Sequence, residues 1–151
     1  GPAAQRDFSG ELAALEKRTH NEPGNVGAWI DLGNLYFDTD QYEKSIQAYR
    51  KALELKPDNA DVLTDMGVMQ RKAGRPEEAV KAFERAIAVN PKHEVSRLNK
   101  GIVLLHDLQD SQGALQAWQE LLEVNPTASF PGGMSVDQMI QQLKKQAAEK
   151  K

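Results

Sequence analysis

Apolar and small residues in this chain recur in a fixed two-part pattern. Trp29, Leu32, Gly33 and Tyr36 follow at intervals of three and four, the spacing of one helical face. A polar break, Asp38-Thr-Asp-Gln41, separates them from a second stripe of Ser45, Tyr49 and Ala52. The whole pattern returns after a shift of 34 residues. Ala28 to Tyr36 aligns with Val62 to Gln70, and Ser45 to Pro57 with Ala79 to Pro91. Gly33 recurs as Gly67 and Gly101, Tyr49 as Phe83, and Ala52 as Ala86. A third copy runs from Glu94 to about Pro126, with one extra residue in its second half. There Ala114, Trp118 and Leu121 occupy the places of Ser45, Tyr49 and Ala52. Each copy therefore predicts a pair of helices in a repeat array.

The residues between the stripes act as punctuation. Asp40 followed by Glu43 predicts a capping box for the second helix of the first copy. In the second copy Gly74 suits a helix end and Pro76 a first turn. Asn59 is placed to cap the helix that follows it. Pro57, Pro91 and Pro126 mark the ends of the second helices. Glycine is poor in a helix interior, so Gly33, Gly67 and Gly101 in one register predict close helix crossings.

The ends depart from the period, as the ends of an array do. Ser9 to about Thr19 reads as a helix with Leu12 and Leu15 on one face. Pro23 stands one period before Pro57, which makes this segment the back half of a repeat. Pro126 to Gly133 reads as a loop. Ser135 and Gln138 then form a capping box for a last helix, with Val136, Met139, Ile140 and Leu143 as its stripe. Lys144, Lys145, Lys150 and Lys151 favour its carboxyl end. The expected place for this helix is against Trp118 and Leu122; the alternative is a groove of this or another molecule. Eight helices result. Gly1-Pro2 reads as a tag remnant or truncation scar, with natural processing as the alternative.

Trp29, Leu32, Gly33, Tyr36, Tyr49, Ala52 and Pro57, with their later copies, resemble the tetratricopeptide repeat family. Arg97 and Lys100 depart from it, since bulky apolar residues are usual there. The resemblance implies an all-α, right-handed solenoid of antiparallel helix pairs with terminal capping helices. The corresponding division is 1–7 as tag remnant or flexible terminus, 8–24 as a half-repeat, and 25–58, 59–92 and 93–127 as three repeats. A linker, 128–134, and a capping helix, 135–151, complete it. The narrower likeness is to bacterial repeat proteins of envelope assembly or c-type cytochrome maturation. It implies a soluble domain in the periplasm or associated with a membrane, with the cytoplasm as the alternative.

Composition narrows the chemistry. The 19 Lys and Arg against 22 Asp and Glu give a formal net charge of -3, with no basic stripe, so nucleic acid is not an expected partner. No cysteine is present, which removes disulfides, thiolate ligands and a cysteine nucleophile. His20, His93 and His106 lie on separate segments, and none falls in a metal-binding or acid-base motif. Gly132-Gly133 lacks the lysine and strand of a phosphate loop. The expectation is a noncatalytic protein that uses no cofactor and no metal.

In the resembled family the first helix of each repeat lines a concave groove. That implies a peptide-binding face of Ile30, Asn34 and Phe37, then Thr64, Val68 and Arg71, then Leu98, Ile102 and Leu105. Family members that grip a free carboxylate place basic residues and asparagines there. Here Asn34 matches, but Ile30, Asp65, Val95 and Asn99 stand at the other positions, so that clamp is missing. Asp31, Asp61 and Asp65 suit a neutral or basic amphipathic ligand, with Arg71 free for one acidic contact. The leading function is an adaptor that binds a peptide or amphipathic helix. The alternative is a self-assembly module that uses the same face to form a homo-oligomer.

Overall fold

The computed structural model describes residues 7–150. Residues 1–6, which carry most of the expected tag remnant, and Lys151 lie outside them. The described residues form eight helices: α1 (Ser9–Asn21), α2 (Val26–Asp38), α3 (Tyr42–Leu55), α4 (Ala60–Lys72), α5 (Pro76–Val89), α6 (Glu94–His106), α7 (Ser111–Val124) and α8 (Val136–Glu149). Each packs on its neighbours in sequence, and the pairs α2–α3, α4–α5 and α6–α7 make the most extensive contacts. The architecture is an all-α solenoid of antiparallel helix pairs.

Local chemistry sets the helix ends. Asn25 and Asn59 accept from the backbone N–H of Ala28 and Val62 at 3.0 and 3.1 Å, capping α2 and α4. Ser135 and Gln138 form the reciprocal capping box at the start of α8. Lys56, Asn90 and Asn125 precede prolines and are extended, which stops α3, α5 and α7. The proposed Asp40–Glu43 capping box does not form. Asp40 is in the left-handed region at φ 56°, and Gln41 is the residue before α3, with no side-chain cap. Gly74 and Gln109 hold the same left-handed place in the next two repeats, at φ 82° and 57°. In each repeat the following N–H returns to the helix just ended: Gln41 to Tyr36 O, Arg75 to Gln70 O, and Asp110 to Leu104 O. Asp40 therefore closes the preceding helix.

The three interior glycines are where aromatic rings of the second helices cross the first helices. A Cβ on Gly33 would stand 2.5 Å from Tyr49 Cδ1, and one on Gly101 would overlap the Trp118 indole. Trp118 Nε1 uses that approach to donate to Leu98 O at 3.1 Å. Ser45, at the place of Ala79 and Ala114 in the later repeats, is buried and donates to Gly33 O at 2.9 Å. The atypical residues of the third repeat carry their own partners. Arg97 donates to Pro91 O and pairs with Glu120 at 3.3 Å, and Lys100 reaches Glu84 at 3.6 Å.

Both ends are covered. Leu12 and Leu15 of α1 pack on Leu32 and Tyr36, and Tyr36 Oη donates to Glu16 Oε1 at 2.6 Å. At the other end Val136 and Ile140 of α8 are buried with Trp118 and Leu121. The connecting loop is held by Val136 N–H to Ala128 O and Phe130 N–H to Met134 O, at 2.9 and 2.8 Å. Phe130 meets the Trp118 ring edge-on, with centroids 5.2 Å apart.

Candidate functional site

The first helices α2, α4 and α6 present residues that belong neither to the sealed core nor to open solvent. Ile30, Phe37 and Val68 are half-buried against the cluster around Ile46, Tyr49 and Leu63. Leu98, Ile102 and Leu105 are half-buried in the same way against the cluster around Leu104 and Trp118. Such residues keep part of their apolar surface available to a ligand. Lys72 stands 5.7 Å over the Phe37 ring and so covers part of it.

The polar members of the sequence-derived face behave differently. Thr64 is buried, and its hydroxyl donates to Ala60 O at 2.7 Å, so it is withdrawn from the surface. Arg71 is not free for a ligand carboxylate. Its Nε and Nη2 donate to Asp107 at 2.6 and 3.2 Å, which ties α4 to the end of α6. Asn34 is exposed and accepts from Tyr49 Oη at 2.7 Å, leaving its amide N–H groups to donate.

The acidic character of the face resides in Asp38, Asp61 and Asp65. Burial pushes the Asp65 carboxyl up to about 6; Asp61 and Asp38 add to the shift and His93 opposes it. Burial, with the Asp65 charge, also raises the Tyr49 phenol. Asp31 belongs elsewhere, 3.7 Å from Arg18 of α1.

Reading along the chain missed one link between repeats. His93, at the start of α6, accepts the Ser96 backbone N–H through Nδ1, and its Nε2 lies 2.8 Å from Asp61 Oδ1. The pair is 32 residues apart, close to one period, so the repeat register was the only available signal. Among the described residues no three His, Cys, Asp or Glu side chains converge to hold a metal ion, and no helix is long and apolar enough to cross a membrane.

Family models described as TPR repeat and tetratricopeptide repeat match residues 33–74 and 60–93. The fold is similar to a crystal structure of MamA, with a TM-score of 0.76 and 24% identity over 81% of this chain and 71% of that one. A second MamA structure, labelled MSR-1, matches at a TM-score of 0.70 and 21% identity, over 78% of this chain and 67% of its own. The first TPR of Spaghetti (RPAP3), bound to an HSP90 peptide SRMEEVD, gives 0.70 and 20% identity, over 82% of this chain and 93% of that one. No curated protein sequence matches the chain.

Proposed function

We propose that this chain, a member of the tetratricopeptide-repeat family, is a noncatalytic adaptor that receives a peptide or amphipathic helix along α2, α4 and α6. The observation that carries this reading is that the first helices of all three repeats contribute half-buried apolar residues, Ile30, Phe37 and Val68 against one core cluster and Leu98, Ile102 and Leu105 against another. Apolar side chains of the ligand anchor there, and Asn34 donates to a ligand carbonyl. The similar fold of the RPAP3 repeat domain, solved with a peptide, supports this use of the architecture.

The ligand is neutral or basic. Asp38 and Asp61 stand close enough to Asp65 to raise its carboxyl, all three on the first helices of repeats one and two, and the Arg71 guanidinium of the same face is engaged by Asp107. An acidic tail of the SRMEEVD kind would meet Ile30 and Val95 where the resembled carboxylate-binding domains place basic residues, and Asp65 where they place an asparagine.

Replacing Leu98 and Ile102 together by serine tests the reading. Partner affinity should fall while the helical circular dichroism spectrum is kept. Equal affinity of the folded double variant would remove this face from the interface. Self-association through the same strip predicts a dimer that dissociates on dilution and is lost in that variant, read by analytical ultracentrifugation.

A further inference from the structure

Gln70 occupies a place that the other two repeats close. At the same register Tyr36 donates to Glu16, and Leu104 is a buried apolar side chain. Gln70 is only 4% exposed, and its Oε1 has no hydrogen-bond partner. A buried amide oxygen in that state weakens the free protein, and a ligand that donates to it removes the penalty.

The amide lines a cleft of about 430 Å³ on the side of α4 where α3 and α5 flank it. Leu53, Met66 and Ala82 form an apolar floor. Arg50, Lys81 and Arg85 stand around the rim with Glu54 and Glu78. Both carboxylates are occupied, Glu54 by Lys51 at 3.6 Å and Glu78 by Arg50 and Arg75 at 4.0 and 3.6 Å. Lys81 and Arg85 join no ion pair among the described residues.

The corresponding cleft one repeat later shows what is particular here. Glu84, Gln116 and Glu120 stand where Arg50, Lys81 and Arg85 stand in the first, and the volume falls to about 230 Å³. Lys100 replaces Met66 on its floor and pairs with Glu84, while Arg97 takes Glu120. That cleft is closed by its own charges; the first is open, cationic at its rim and short of one donor at its floor.

We infer that the α3–α5 cleft is a second peptide-docking site, distinct from the α2–α4–α6 strip and of opposite charge. Its ligand is an acidic segment with one apolar side chain seated on Leu53, Met66 and Ala82. Carboxylates on either side meet Lys81 and Arg85, and a turn of the Gln70 side chain brings Oε1, sealed in the free protein, to an amide N–H of the segment. The two faces thus fit two different partners at once, a basic or neutral one on the strip and an acidic one behind it.

The probe is a capped peptide, Glu-Glu-Glu-Leu-Asn-Glu-Glu-Glu, with its lysine-for-glutamate counterpart, titrated into the full chain and followed by NMR. The glutamate peptide should shift the Gln70 side-chain amide and the Ala82 backbone amide saturably, and the lysine peptide should leave both unmoved. Gln70→Leu should raise the melting temperature and weaken binding about tenfold. Lys81→Glu with Arg85→Glu, both surface changes, should transfer the preference to the lysine peptide. No saturable shift at Gln70, shifts confined to α2 and α6, or equal affinity of the Gln70→Leu variant would overturn the assignment. The Leu98 and Ile102 double variant should bind the glutamate peptide normally, so failure at one site is read separately from failure at the other.

Discussion

Gly67 faces the ring of Phe83 so closely that a Cβ on the glycine would lie 2.6 Å from Phe83 Cε1. Phe83 is fully buried and cannot swing aside without disturbing Val103 and Ala79 beside it. Gly67→Leu should therefore force α4 and α5 apart and lower stability by about 1–3 kcal/mol. Thermal unfolding followed by circular dichroism checks this, and an unchanged transition would refute the close crossing.

Arg71 and Asp107 predict a smaller effect. Their side chains are 36% and 25% exposed, so the pair is screened although its geometry is good. Arg71→Ala and Asp107→Ala should each cost about 1 kcal/mol or less. A double-mutant cycle should show coupling that shrinks in high salt. Additive losses would mean that the bridge does not join the second and third repeats in solution.

The fold was legible because its controlling residues are chemically unambiguous. Glycine at three crossings and proline after three helices each permit few conformations, and the period aligned them before any contact was known. Asp40 departs from its expected role for the converse reason. An aspartate before a helix suits a cap, and only the homologous positions of Gly74 and Gln109 disclose its left-handed role. The face of the first helices was legible as a register, but the fate of its polar side chains was not. Whether Arg71 is free depends on Asp107, 36 residues away, and whether Thr64 is exposed depends on how α4 turns. The cleft at Gln70 left no mark in the sequence beyond a polar residue at an aromatic or aliphatic position.

Asp65 predicts a pH dependence of stability. Its carboxyl titrates at about 6 in the folded protein against an ordinary value of 3.8, chiefly through burial. Between those values the native state keeps a proton that the unfolded chain has released. Stability therefore falls as pH rises from about 4 to about 6, and the penalty is complete above that window. Asp65→Asn should be more stable than the parent at pH 7, by a margin kept small because the carboxylate retains contact with water. The margin should vanish below about pH 4. Urea midpoints of both proteins across this range decide the matter, and a difference that does not change with pH would exclude Asp65 as its source.

The last helix gives the largest expected effect. Val136 and Ile140 are 0% and 2% exposed, and both pack with Trp118 and Leu121. Cutting the chain after Ser129 removes them together with the Phe130 ring that meets Trp118 edge-on. The exposed edge of α7 would then carry a tryptophan and leucines into water, as an array does when its terminal cap is lost. Ile140→Ala alone should cost about 2–4 kcal/mol, and the truncation should cost more. Because α8 packs on α7 as a terminal cap, affinity for a ligand of the α2–α4–α6 strip should not rise after the cut. Melting temperature, solution mass and peptide affinity measured on the truncated chain separate the alternatives. Lower stability at constant mass and affinity supports a cap, whereas a gain in affinity with the monomer mass unchanged would show that α8 competes for the groove in solution.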